Sequence, residues 1–164
     1  MARVTKDILW RGGRFTNHLS RLKFFRGHGV HSPYVYSIVR EVFMVKRLFQ
    51  SEDPLYIDLR RVSIKNQTAI EISNLAKHCH FDSTSIDSMM GKDLIICSEE
   101  CSKSDIYTLA NKAANSGIAI VILSPYRHRK VCNMLLKENN STSIDRFNYI
   151  ILLNNHLPKQ HFKL

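Results

Sequence analysis

The chain has 164 residues, which is enough for one domain with its own hydrophobic core. Its formal charge is +10, and its longest apolar run, Ile118 to Leu123, has the length of a strand rather than of a transmembrane helix. No secretory h-region opens the sequence, and the four cysteines are too scattered for a disulfide-stapled secreted domain. We therefore expect a cytoplasmic protein with reduced thiols and no transmembrane segment.

The positive charge is concentrated near the N-terminus. Residues 1–50 contain ten Lys and Arg against two acids, whereas residues 51–164 contain fourteen against twelve. Residues 1–26 have the pattern of one or two short basic helices, interrupted at Gly12-Gly13. Such a segment favours an anionic partner, including nucleic acid, although a solvated surface explains the charge equally well. An apolar stripe on its second half can dock on a partner or on the domain itself.

A turn rich in glycine and histidine follows this segment. Ser32 is suited to cap a helix and Pro33 to begin it, and the helical pattern continues to about Gln50. Arg26, His28 and His31 therefore lie near a helix N-terminus, where an anion can bind. The alternative, which we favour, is that the two imidazoles fix the turn and dock the basic arm.

The rest of the chain alternates strand and helix patterns. An α/β fold with a mainly parallel sheet and flanking helices is the expected fold class. The predicted strands are Leu55–Leu59, Ser83–Asp87, Asp93–Ser98, Ile118–Ser124 and a terminal pair formed by Thr142–Arg146 and Asn148–Asn154. The predicted helices are Gln67–Cys79 with Asn66 as its cap, one that Ser104 caps and Gly117 closes, and one that starts at Ser124-Pro125.

Three stretches resemble one known family. The stretch RGHGVHSPYVYSIVREVF, residues 26–43, resembles the N-terminal signature of a group of bacterial class I S-adenosylmethionine-dependent methyltransferases. The stretches DLIICS and IAIVILS stand where that family has its strands 4 and 5, and residues 143–164 resemble its closing hairpin and tail. The resemblance implies a Rossmann-like fold and, for an active member, the cofactor S-adenosylmethionine.

The sequence departs from the family where the family binds its cofactor. A class I methyltransferase has a glycine-rich loop after its first strand, because the backbone must approach the ligand closely there. Residues 51–90 contain no glycine, and Gly91 stands alone. Only 114 residues follow residue 50, too few for a seven-stranded core at about 30 residues per strand and crossover. We therefore divide the chain into a basic helical arm with its helix, 1–50, and a shortened Rossmann-like domain, 51–164.

The candidate cofactor-binding residues are acidic and follow predicted strands. Asp87 stands in for the acid that holds the ribose, and Glu99 and Glu100 stand in for the aspartate that ends strand 4. The basic run Tyr126–Lys130 lies at the same sheet edge and can receive an anion, although a solvated helix face is the simpler explanation. No catalytic residue is assigned.

The cysteines and histidines do not predict a metal site. His78-Cys79-His80 has potential ligands, and Cys97 and Cys101 have a spacing found in zinc sites. However, neighbours along one helix or strand point apart and do not converge on one ion. No sequence feature supplies a base for a cysteine nucleophile either.

We expect a methyltransferase-like protein that has lost cofactor binding and catalysis, and that acts through binding or assembly with no cofactor. One alternative is a divergent active methyltransferase that uses S-adenosylmethionine. Another is a polyanion-binding module that uses residues 1–26. A shortened sheet also exposes an edge strand, which a homodimer would cover.

Overall fold

A computed structural model describes residues 30–164. In this part of the chain, five α-helices and six strands form an α/β fold around one sheet. The helices are α1 (Pro33–Ile38), which continues as a π-helical turn (Val39–Phe43), α2 (Pro54–Arg61), α3 (Asn66–His78), α4 (Lys103–Ser116) and α5 (Arg129–Glu138). The strands are β1 (Thr84–Ile86), β2 (Leu94–Cys97), β3 (Ala119–Leu123), β4 (Ser143–Asp145), β5 (Tyr149–Leu152) and β6 (His161–Lys163).

The sheet is mostly parallel, as the sequence predicts. Its strand order is β1-β2-β3-β5-β4-β6. The first three strands are mutually parallel, and β4 and β6 are parallel to each other. Strand β5 runs antiparallel to both of its neighbours, β3 and β4. The α/β class and the terminal antiparallel pair are therefore confirmed, whereas the predicted basic arm, residues 1–26, lies outside the described residues.

Both faces of the sheet are buried, which explains the unbroken apolar runs in β2 and β3. Leu94, Ile96 and Val121 point into a core formed with α1, the π-helical turn, α2 and α3. Ile95 and Ile120 point into a second core formed with α4 and α5. Because successive side chains of a strand alternate between faces, a central strand covered on both sides is apolar at every position.

The predicted strand Leu55–Leu59 is wrong, because this segment is the helix α2. Asp53 caps it, since its carboxylate accepts hydrogen bonds from the backbone of Leu55 and Tyr56, and Pro54 takes the first helical position. Leu55 and Leu59 are four residues apart, so both face the first core. The helix predicted from Ser32 to about Gln50 also ends early, at Phe43.

Several predicted boundaries shift. Ser102, rather than Ser104, caps α4, and Asn66 is the first residue of α3 rather than its cap. A turn follows Ser124, so α5 begins at Arg129. The sequence does not predict strand β6, which lies beside β4 in the chain's C-terminal tail. A three-residue strand with exposed ends leaves little periodic signal in a sequence.

A buried polar network joins α3 to the β4–β5 hairpin. Glu71 on α3 accepts a hydrogen bond of 2.5 Å from the hydroxyl of Tyr149, and its carboxylate lies 2.9 Å from Arg146 Nη2. The guanidinium of Arg146 stacks 4.5 Å from the ring centre of Phe43 in the π-helical turn. Burial and the Glu71 charge raise the pKa of Tyr149, so its hydroxyl stays protonated and donates. The network ties the helices of the first face to the sheet.

The connection between β1 and β2 is unusually short. Parallel neighbours need a crossover of a dozen or more residues, usually a helix, but residues 87–93 alone join these two strands. This segment, which we call the connector, folds back along β1. Ser83 accepts from the backbone of Lys92 and Asp93, and Ser85 Oγ donates to the carbonyl of Ser88 over 2.5 Å. Hydrogen bonds to Ser83, directly before β1, and from Ser85 thus hold the connector against the strand.

Candidate functional site at the carboxyl edge of the parallel strands

The carboxyl ends of β1, β2 and β3 meet at one edge of the sheet. Asp87, Ser98 and Ser124 follow these strands directly. Asp87 and Ser124 both have left-handed backbone conformations, with φ of 52° and 45°. Non-glycine residues seldom adopt this conformation, and it turns the chain sharply after β1 and after β3. Ligands of open α/β sheets bind at this edge, so it is the candidate functional site.

Asp87 is held by the protein's own backbone. Its Oδ1 accepts a hydrogen bond of 2.7 Å from the N–H of Ser98, and its own N–H donates to the carbonyl of Ile96 over 2.8 Å. These bonds fasten the end of β1 to the end of β2. The acid that the resemblance assigns to a ribose is here a link between two strands.

The two glutamates lie at the same edge but differ in their partners. Glu99 Oε1 accepts a hydrogen bond of 2.5 Å from Ser124 Oγ, and Glu99 Oε2 lies 3.6 Å from Arg127 Nη1. Glu99 therefore connects the end of β2 to the end of β3. Glu100 is exposed, and its N–H donates to Ser98 Oγ over 3.2 Å. All three predicted acids share one edge, and Asp87 and Glu99 are engaged in joining neighbouring strands.

His128 is a buried basic group of this edge, and in the sequence it is only one member of the basic run Tyr126–Lys130. The residue is 8% exposed, and neither ring nitrogen has a hydrogen-bond partner within the described part of the chain. Burial lowers the pKa of His128; the charges of Lys103 and Arg127 lower it further, and the backbone of Glu99 opposes this. The imidazole is thus kept neutral. No local signal reveals this burial, because His128 stands within a run of basic residues.

The thiols near this edge are unreactive. Burial raises the pKa of Cys97, and it raises that of Cys101, beside the Asp87 charge, to about 11. Burial, with the Asp145 charge, raises the pKa of Cys132 to about 11 as well. These thiols are protonated near neutral pH, whereas a nucleophilic cysteine needs its thiolate. Within residues 30–164, no group of three or more His, Cys, Asp or Glu could hold a metal ion.

The histidine and cysteine of the rejected metal motif instead join two helices. His78 Nε2 lies 3.1 Å from Ser37 Oγ, and His78 Nδ1 lies 3.2 Å from Glu41. Cys79 Sγ accepts a hydrogen bond of 3.3 Å from the hydroxyl of Tyr34. These contacts fasten α1 and the π-helical turn to the end of α3. Their role in the structure is therefore to hold the first helical layer together.

The predicted anion site is described only in part. Arg26 and His28 lie outside the described residues. His31 is exposed, immediately before Ser32, whose Oγ accepts from the N–H of Val35 over 3.4 Å. Ser32 and Pro33 thus begin α1 as predicted. Because Ser32 already satisfies one N–H of this six-residue helix, less of its N-terminus is open to an anion.

Two surface cavities have linings that include none of Asp87, Ser98 and Ser124. One, of about 280 Å³, lies at the opposite end of the fold, between the C-terminal parts of α4 and α5. Amide side chains dominate its lining: Asn111, Asn115, Asn139, Asn140, Asn154 and Asn155. The other, of about 320 Å³, is a groove between α2 and the outer edge of β1.

Comparison with known proteins adds no relative, since no family model, no curated protein and no solved structure matches the chain. Among residues 30–164, none of the helices combines the length and apolar character needed to cross a membrane. The geometry of this chain must therefore carry any functional assignment by itself.

Proposed function

We propose that this chain is a Rossmann-like, methyltransferase-like protein that does not bind S-adenosylmethionine or transfer methyl groups, and that it acts as a binding or assembly module. The observation that carries the proposal is the connector, residues 87–93. In the family that the N-terminal signature resembles, the first strand leads into a glycine-rich cofactor loop and a helix. Among residues 30–164, β1 is the first strand along the chain, and it leads directly back to β2.

Gly91 supports this proposal, because backbone atoms of the same chain occupy the space beside it that a side chain would need. A Cβ atom there would lie 2.6 Å from the carbonyl oxygen of Leu94 and 2.8 Å from the backbone nitrogen of Ser85. The missing side chain therefore lets the connector close on its own strands. In a cofactor loop, glycine lets the backbone approach a ligand instead. The bond from Ser98 N–H to the Asp87 carboxylate points to the same structural use.

The strand arrangement supports the kinship with the methyltransferase family. The segments that resemble strands 4 and 5 are β2 and β3, which are parallel neighbours joined by α4. The segment that resembles the closing hairpin is the antiparallel pair β4 and β5. These elements follow one another in the order that the resemblance implies. The proposed kinship and the lack of a glycine-rich loop together favour a non-catalytic protein.

Isothermal titration of the full chain with S-adenosylmethionine tests the proposal. We expect no saturable heat, whereas binding with a micromolar Kd would overturn the proposal and favour the divergent enzyme. The variant D87N is the matched control, because it keeps the shape of the side chain. If binding occurs and D87N weakens it at least about ten-fold, equivalent to 1.4 kcal/mol, without lowering the unfolding free energy of the protein, Asp87 contacts the cofactor.

A second candidate function is polyanion binding, which the uneven charge favours. Residues 1–50 carry a net charge of +8, against +2 for the rest of the chain. Each phosphate that the arm neutralises releases a counterion, so affinity for nucleic acid falls steeply as salt increases. This function is compatible with a non-catalytic domain that positions the arm.

Two full-length variants with the same net charge separate an arm-specific effect from a general one. The first replaces the seven Lys and Arg of residues 1–26 by Gln, and the second replaces seven exposed Lys and Arg of the domain. We expect only the first to lose salt-dependent binding to a single-stranded oligonucleotide; equal losses, or none, would contradict the candidate. The domain positions are Lys65, Lys77, Lys92, Lys112, Arg129, Lys130 and Lys163.

A further inference from the structure

The two outer strands of the sheet differ in how their free edges are protected. Strand β6 has an exposed Lys163 and an exposed His161, and Pro158 precedes it. Charged residues, lysine above all, and proline are the usual means of preventing an edge strand from pairing with another chain. Strand β1 has the sequence Thr-Ser-Ile, with no charge, and all three residues are only half-exposed. Its edge therefore lacks this protection.

The backbone of β1 is available for pairing. The carbonyl of Ser83 and the N–H of Asp87 both bond to β2, to Leu94 and Ile96. Because successive backbone groups of a strand point to opposite sides, those of Thr84 and Ile86 point away from β2. Within residues 30–164, β1 is the last strand on this side of the sheet. A further strand could form backbone hydrogen bonds there with the N–H and carbonyl groups of Thr84 and Ile86.

A groove lies directly beside this edge. Leu55 and Val62 contribute apolar surface to it, and Val62 is 46% exposed although it is a large hydrophobic residue. Asp58 and Arg61 also line the groove, with their charged groups 2.9 Å apart and well exposed. The groove thus combines an apolar lining with one acid and one base. A residue from an added strand can enter it and bury the apolar surface.

We infer that β1 pairs antiparallel with β1 of a second copy of this chain, across a two-fold axis perpendicular to the sheet. Such an axis places equivalent faces of the two sheets on the same side of the joined sheet. The two α2 helices therefore meet antiparallel on one face. Asp58 and Arg61 of one copy then face Arg61 and Asp58 of the other. Because this surface carries both an acid and a base, an identical surface offers each of them an opposite charge, and this favours a second copy as the occupant.

The opposite face of the sheet adds contact area to this interface. Met89 of the connector packs into the second core, so the connector lies on the face away from α2. Met90 beside it is 83% exposed, the most exposed large hydrophobic residue of the described part of the chain. Two short strands alone would bury less than the roughly 1,000 Å² expected of a specific interface. The paired helices and connectors supply the remainder.

This inference names the partner in the assembly function proposed above and rests on that function. Sedimentation of the full chain over a concentration series tests it, and we expect a reversible dimer. Hydrogen exchange at the amides of Thr84 and Ile86 should slow as the dimer forms. A monomer at every concentration, or exchange independent of concentration, would overturn the inference. The titration with S-adenosylmethionine is a separate measurement, so either idea can fail without the other.

Charge reversal identifies the interface. The single variants D58R and R61D place like charges opposite each other across the axis, and we expect each to weaken the dimer at least about ten-fold. The double variant D58R/R61D restores opposite charges and should return the Kd to within about three-fold of the native value. The control K163E changes charge at the β6 edge and should leave the dimer unchanged. Failure of the double variant to recover, or an equal effect of K163E, would contradict this interface.

Discussion

The pairs β1–β2 and β2–β3 have the same parallel geometry but very different connections. Residues 98–118, which include α4, join β2 to β3, and α4 covers the second face of the sheet. Residues 87–93 join β1 to β2, and they contribute Met89 to that face. Parallel pairing therefore forms without a crossover helix. Within residues 30–164, no crossover helix covers the second face of the sheet beside β1.

The largest expected loss of unfolding free energy comes from a side chain that prevents the connector from packing against β1 and β2. Gly91→Ala places a Cβ atom 2.6 Å from one backbone atom and 2.8 Å from another, and neither can move without disturbing β1 or β2. We expect about 3 kcal/mol of lost unfolding free energy, at the upper end of the usual cost of overpacking. Urea denaturation monitored by circular dichroism measures it. A loss below about 1 kcal/mol would mean that the connector is not tightly closed.

The matched glycine substitution in the longer connection should cost less. Gly117 ends α4 with a left-handed φ of 68°, and the nearest atom to a Cβ added there is the carbonyl oxygen of Asn154 at 3.7 Å. Gly117→Ala therefore incurs backbone strain without a clash, about 1–2 kcal/mol. The same denaturation assay compares the two variants. If Gly117→Ala lowers the unfolding free energy more than Gly91→Ala does, the connector tolerates an added side chain better than the longer connection does.

A smaller loss is expected at the start of the crossover helix. Ser102 Oγ accepts from the N–H of Asp105 over 3.2 Å and caps α4. Ser102→Ala removes this cap at a cost of about 1 kcal/mol. Ser104→Ala is the control, because Ser104 is inside the helix, and it should cost little. Equal losses in thermal denaturation would show that the cap does not stabilise the crossover.

The last effect concerns how the stability of the protein depends on pH. Because the folded protein lowers the pKa of His128, the unfolded chain binds the proton more tightly. Stability is then fully present above the unfolded pKa of about 6.5 and decreases as pH falls through it. We expect His128→Phe to flatten this decrease by up to one proton, about 1.4 kcal/mol per pH unit. The control is the exposed His156→Gln; an unchanged slope in His128→Phe would show that His128 is not the group responsible.

Local signals predict much of the fold. The Ser32-Pro33 start of α1, the Gly117 end of α4 and the buried strand β3 all follow from residues close together in the sequence. The error at Leu55–Leu59 also has a local cause. Five residues with apolar ends fit a strand as well as a helix, and Asp53-Pro54 ends one element as readily as it begins another.

The position of the candidate site is predictable, but its use is not. The pattern of strands predicts Asp87, Glu99 and Glu100 at one sheet edge, and the structure brings them to that edge. The pattern cannot show that Asp87 accepts from Ser98, because that bond depends on the register of β1 against β2. Nor can it show that His128 is buried with no hydrogen-bond partner among residues 30–164, since the burial of a side chain depends on how segments distant in the chain pack.

By itself, the sequence determined the α/β class, most of the strands and helices, the basic N-terminal segment and the lack of a glycine-rich loop. These depend on composition and on periodicity over a few residues, which act before any distant contact forms. Only the tertiary structure decided that β5 lies between β3 and β4, that Glu71 is buried against Arg146, and that β1 is an unprotected edge of the described sheet. Each of these depends on contacts between residues far apart in the chain. Their free energy comes from pairing and burial that no local segment contains.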